Sequence, residues 1–177
     1  MKKPAHVIDI FLQPGEFYFG DRQTRIRTLL GSCVAITLWH PGKLIGGMCH
    51  YMLPERPGRR AMTPDGRYGD EAFSLLLREI AKANTRPHEY EVKMFGGANM
   101  FPSRERCRRD HIGLKNTQAG ESLVQLHGLR CKAQDVGGAG HRNVIFDIRS
   151  GHVWVRRVSI RTADSCGDCE ERALCAG

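Results

Sequence analysis

The stretch LGSCVAITLWHPGKLIGGMCHYMLP, residues 30–54, constrains this chain more than any other: two β-rich runs flank His40-Pro41-Gly42-Lys43 and close into a hairpin. Proline at 41 forbids the positive φ of a tight type I′ turn, which favours the four-residue loop over the two-residue one. Either loop pairs positions whose numbers sum to 83, setting Cys33 opposite His50 and Val34, Ile36 and Leu38 opposite Cys49, Gly47 and Ile45. Opposed residues of an antiparallel ladder share a face with Cα atoms about 4.5–5.5 Å apart, so a thiol and an imidazole would meet. A loop of three or five residues would put them on opposite faces.

A cysteine–histidine pair is the minimum apparatus for nucleophilic acyl transfer, the imidazole taking the thiol proton or, as imidazolium, lowering the thiol pKa. Gly31-Ser32 ahead of Cys33 would let a substrate carbonyl approach the backbone, and N–H groups around Ser32 and Cys33 are candidate oxyanion donors. The competing readings are ordinary ones: Cys33 as a small buried hydrophobe and His50 as a satisfied core histidine. Cys49, on the other face, reads as a core thiol.

Elsewhere the chain reads as one folded unit over 1–160 and a cysteine-containing tail over 161–177. Further strands are expected at 17–19, 26–30, 89–95, 131–136, 143–148 and 152–160. Apolar residues at helical spacing predict a helix over Asp70 to Ala83, with Asp70 near its N-cap, and a second over Asn116 to His127 closed by Gly128. Pro54 to Arg67, with three prolines and four arginines, is expected to be a mobile basic loop. Together these predict an α/β fold: a layered α/β sandwich of mostly antiparallel sheets, its two main helices covering one face.

With 27 Lys+Arg against 19 Asp+Glu the net charge is +8, which favours acidic partners. A nucleic-acid binder is disfavoured, because neither a recognition-helix motif nor interleaved aromatic and basic strands occur. Neither a signal-peptide apolar core nor an uninterrupted membrane-length run is present, which argues for a cytoplasmic protein with reduced cysteines and no membrane insertion. Cys166, Cys169 and Cys175 fall short of a four-ligand zinc site, and a disordered tail is the expectation there. Arginines 104, 106, 108 and 109 read as a solvated face.

In order along the chain, LGSCVAITLWHP, GGMCHYMLP, RYGDEA, FGGANMF, IGLKNTQA and DVGGAGHRNV make it resemble the CheD family of chemoreceptor glutamine deamidases over about residues 7–158. That resemblance implies a protein-glutamine glutaminase that converts receptor glutamines to glutamates through a cysteine thioester, releasing ammonia, with receptor methylesterase activity on the side. It implies no metal or organic cofactor. The implied partners are the acidic cytoplasmic domain of methyl-accepting chemotaxis receptors and a CheC-type phosphatase; the alternative is a non-catalytic regulator that only binds them. Nucleophile and histidine fall on Cys33 and His50, and the family's threonine ahead of the cysteine falls on Thr28, with Ser32 as a second orienting candidate. Strand alternation turns Thr28 away from Cys33 unless a bulge at Gly31 restores its face. Gly96, Gly97, Asn99, Arg59 and Arg60 are candidate substrate contacts.

Overall fold

The computed structural model describes residues 7–58, 62–100 and 111–158. Arg59 and Arg60, the arginines at 104–109 and the cysteine tail lie outside them. The described chain runs β1 (Ile8–Phe11), β2 (Phe17–Asp21), β3 (Thr24–Leu30), β4 (Val34–His40), β5 (Ile45–Tyr51), α1 (Gly69–Lys82), a 3₁₀ turn (Pro87–Glu89), β6 (Glu91–Gly96), α2 (Ile112–Leu126), β7 (Cys131–Val136), β8 (His141–Asp147) and β9 (Val153–Val158).

Two sheets result, ordered β1-β3-β8-β9 and β2-β5-β4-β6-β7. Both are mixed: β1 with β3 and β6 with β7 are parallel, and every other pairing is antiparallel. The expected α/β sandwich is therefore present, with both helices packed on the five-stranded sheet. The period-2 pattern of β4 explains the layering. Val34, Ile36 and Leu38, with Cys49 and Tyr51 of β5, meet Phe73, Leu76 and Ile80 of α1 and Val124 of α2. The intervening Ala35, with Met48, faces Ile26, Leu30, Val144 and Phe146 of the four-stranded sheet. A central strand buried on both faces reads as nearly continuous apolar sequence, as β4 does.

The hairpin closes one residue later than expected. The turn is 41–44 rather than 40–43, because the His40 ring accepts the Gly42 and Lys43 amides (3.2 Å each) and Leu44 takes a left-handed φ of 53°. Paired positions sum to 85: Val34 faces Tyr51, Ala35 faces His50 and Ile36 faces Cys49. A two-residue slip preserves every side chain's face, so the partition of the strand residues survives while the pairs change.

Helix starts also moved. α1 begins after Tyr68 with no side-chain cap; its first amides are taken by chain leaving β5, Gly69 N–H donating to Leu53 O at 2.8 Å. α2 begins four residues early, capped by His111, whose Nδ1 accepts the Leu114 amide. Asn116 looks like a start signal but lies inside the helix, fully buried. At the other end the expectation holds: Gly128, φ 65°, follows the last turn, and Leu129 N–H donates to Val124 O.

The described flanks of the 54–67 loop are pinned rather than loose. Arg56 forms a bidentate pair with the buried Glu71 of α1 (2.7 and 2.8 Å) and stacks over Tyr68, while Glu71 also accepts the Asp65 amide. Arg67 is paired with Asp65. The Arg56 guanidinium, with the Asp65 amide, holds the Glu71 carboxyl down at about 2 against the opposing effect of desolvation. These two arginines are spent on structure.

Candidate active site

Between β3 and β4 the chain leaves one sheet and enters the other through Gly31-Ser32-Cys33. Thr28 and His50 thus lie on different sheets and face each other across the gap. No bulge at Gly31 is involved, because alternation along a single strand does not govern residues that belong to two. Both side chains are buried, at 2% and 1% exposure.

His50 Nδ1 lies 2.7 Å from Thr28 Oγ1, and Thr28 Oγ1 donates to the Leu12 carbonyl at 2.9 Å. A hydroxyl has one proton. With that proton committed to Leu12, Thr28 accepts from Nδ1–H, which fixes the tautomer and leaves the lone pair on Nε2. Among the described residues Nε2 is buried with no hydrogen-bond partner. The segment between β1 and β2 closes over this arrangement: Gly15 N–H donates to His50 O and His50 N–H to Glu16 O.

Cys33 lies one residue before β4, partly buried in the inter-sheet cluster with Ala35. Because Ala35 is the residue opposite His50, continuing the register by two residues sets Cys33 diagonal to His50 on the same face. Burial dominates the electrostatics. It raises the Cys33 thiol above its ordinary value, partly offset by the thiol's own backbone N–H, and lowers His50 to about 4 against opposing contributions from the Leu12 carbonyl and Glu16. Both shifts favour the neutral form of each group, thiol and imidazole. Cys49, fully buried in the other cluster, is pushed up to about 12 and is inert.

The two peptides that bracket Cys33 are both held. Gly97 N–H donates to Cys33 O at 2.8 Å, so this amide serves the Cys33 segment and is not free for a substrate anion. Ser32 contributes its carbonyl, which accepts from Asn116 Nδ2 at 3.0 Å. Asn99 N–H donates to Gly138 O. Gly96, φ 110°, presses against the Cys33 carbonyl, where a Cβ would overlap the oxygen. Gly96→Ala should therefore lower the unfolding free energy by about 3 kcal/mol in chemical denaturation; a change within error would show that the Cys33 segment is not held there.

Sequence reasoning missed the Leu12 carbonyl and Asn116. The first carries no side-chain signal. The second had one: Asn116-Thr117 set between Gly113 and Gly120 marks a helix face of small and polar groups, suited to close backbone approach.

The CheD family model, described as CheD chemotactic sensory transduction, matches residues 52–157. Full-length relatives extend the match over the Cys33 and His50 strands. A protein of Pseudomonas syringae pv. tomato is 47% identical over 93% of this chain and 98% of its own length. The chain belongs to the CheD family. Another CheD relative, from Pseudomonas fluorescens, is 45% identical over 100% of this chain and 99% of its own. A third, from Dechloromonas aromatica, is 51% identical over 86% and 89%. These relatives carry the name probable chemoreceptor glutamine deamidase CheD. Among solved structures, the hypothetical protein YfiH of Bacillus licheniformis aligns with a TM-score of 0.40 at 10% identity, over 70% of this chain and 49% of that one.

Proposed function

We propose that this chain is a protein-glutamine deamidase that hydrolyses glutamine side chains of chemotaxis receptors to glutamate, with Cys33 as nucleophile, His50 as base and Thr28 as the residue that orients it. The observation that carries the reading is the buried Thr28–His50 hydrogen bond, which frees Nε2 on the face that holds Cys33. The names of the relatives supply the substrate class.

In this mechanism the Cys33 thiol proton passes to His50 Nε2 as sulfur attacks the glutamine Cδ. The tetrahedral intermediate collapses, His50 returns the proton to the leaving nitrogen, and ammonia departs. Water then attacks the thioester, giving up a proton to His50, and the carboxylic acid and thiol are released. Carboxamide and water become carboxylic acid and ammonia. The working unit we assign runs to residue 160, in the cytoplasm. Asn99, with Arg59 and Arg60 outside the described residues, is assigned to receptor contact, where a net charge of +8 suits an acidic helical hairpin. A CheC-type phosphatase would compete for the same face. Among the described residues no helix is long and apolar enough to cross a membrane.

The test is incubation of the full chain with a receptor cytoplasmic fragment, followed by peptide mass spectrometry for glutamine-to-glutamate conversion and an ammonia assay. Conversion at selected glutamines is expected; a fragment left unmodified while it binds would favour the regulator. The pH profile gives a separate check. With His50 held at about 4, the base stays neutral well below the ordinary histidine value, so kcat should remain level from about pH 7 to about pH 5 and fall toward pH 4. The same lowering makes the unfolded chain bind the proton first, so stability should also decline as pH falls from about 6.5 to about 4. An acid limb centred near 6.5 would overturn the neutral-base assignment.

A further inference from the structure

Asn116 is fully buried in α2, and both carboxamide protons are committed: Nδ2 donates to Ser32 O at 3.0 Å and to Met52 O at 2.8 Å. Two carbonyl acceptors leave no doubt about which way the amide faces. Its backbone is anchored as well, Asn116 O accepting from the buried Tyr51 hydroxyl at 2.6 Å. A single side chain therefore joins the peptide immediately before Cys33 to Met52, the residue just past β5 and two beyond His50.

Ser32 C=O and Cys33 N–H belong to one peptide unit, and no cis bond occurs among the described residues. In a trans peptide the two groups point in opposite directions. Drawing the carbonyl toward α2 therefore turns the Cys33 N–H away from the helix layer, and this N–H belongs to the same residue as the attacking sulfur. Hydrogen bonding to a carbonyl also polarises the N–H of the same peptide. An N–H beside the attacking sulfur is where the oxygen of a tetrahedral adduct needs a donor.

We infer that Asn116 is a positioning residue for acyl transfer: its carboxamide sets and polarises the Ser32–Cys33 peptide so that the Cys33 N–H stabilises the oxyanion. The inference rests on the Cys33 chemistry proposed above. It sets deamidation, which forms an oxyanion, apart from thiol alkylation by iodoacetamide, which forms none.

Asn116→Asp, nearly isosteric, places a carboxylate against two carbonyls, and Asn116→Ala removes the donors. Both should lower kcat on a receptor fragment by about 10- to 100-fold, while the pH-corrected rate of Cys33 alkylation stays within about threefold and KM is little changed. Tyr51→Phe removes the helix anchor and keeps the carboxamide; it should reduce thermal stability without a matching loss of kcat. If Asn116→Ala fails to fold, Asn116→Asp and Tyr51→Phe carry the comparison. Wild-type kcat in a folded Asn116 variant would overturn the inference, as would equal kcat losses in Tyr51→Phe and Asn116→Asp, or parallel loss of alkylation and deamidation. Failure of the underlying reading looks different: wild type itself would show no Cys33-dependent conversion.

Discussion

Cys33→Ala should reduce conversion of receptor glutamine to the uncatalysed background, a loss of at least about 10⁴-fold in kcat, because among the described residues Cys33 is the one cysteine of the inter-sheet cluster. The fold should persist. Cys33 is only partly buried and sits at the margin of its cluster, so replacing sulfur by hydrogen should cost about 1 kcal/mol or less. Cys49→Ala is the natural control, since that thiol is fully buried against the helices and held up at about 12. It should lose more stability and keep kcat. Retained conversion by folded Cys33→Ala, read by mass spectrometry, would end the covalent mechanism.

The second large effect is expected at His50. His50→Ala should lower kcat by about 10³-fold at neutral pH, the usual worth of a positioned general base. The burial that raises the Cys33 thiol strengthens this expectation, since an unassisted thiol there is protonated at neutral pH. Iodoacetamide alkylation at high pH, where the thiolate forms without help, should recover much more than deamidation does. Thr28→Val keeps the base but removes the acceptor that holds Nδ1–H, and should cost less, about 10- to 100-fold. If the threonine variant lost as much as His50→Ala, Thr28 would have a role beyond orientation. If His50→Ala kept wild-type kcat with a folded chain, another base would have to be found.

What sequence made legible here is local periodicity. Alternation in β4 and β5 sorted Val34, Ile36, Leu38 and Cys49 to one face and Cys33 and His50 to the other, and a two-residue error in register left that sorting intact. The turn itself was misplaced because it depends on the His40 ring as an acceptor and on Leu44 in a conformation that sequence does not advertise. Sheet membership was out of reach. β3 and β4 are consecutive and look like neighbours, yet they belong to different layers, and only long-range pairing with β8 or β5 decides that. For the same reason the threonine posed a parity problem that the molecule does not have. β1 went unpredicted because its four residues, Ile-Asp-Ile-Phe, are short and largely exposed. Asn116 was misread through its side-chain type, which favours helix starts; tertiary acceptors on Ser32 and Met52 outweighed that preference.

The division of Thr28 and His50 between two sheets also has a consequence for the life of the chain before it is native. A hydrogen bond between β3 and β5 exists only once both sheets have formed and closed on each other, which is among the later events when pairing is non-local. Until then Cys33 is an ordinary thiol and His50 an ordinary solvated imidazole. On the proposed mechanism a copy whose layers have not closed lacks the oriented base, so hydrolytic competence would report that the two layers have come together.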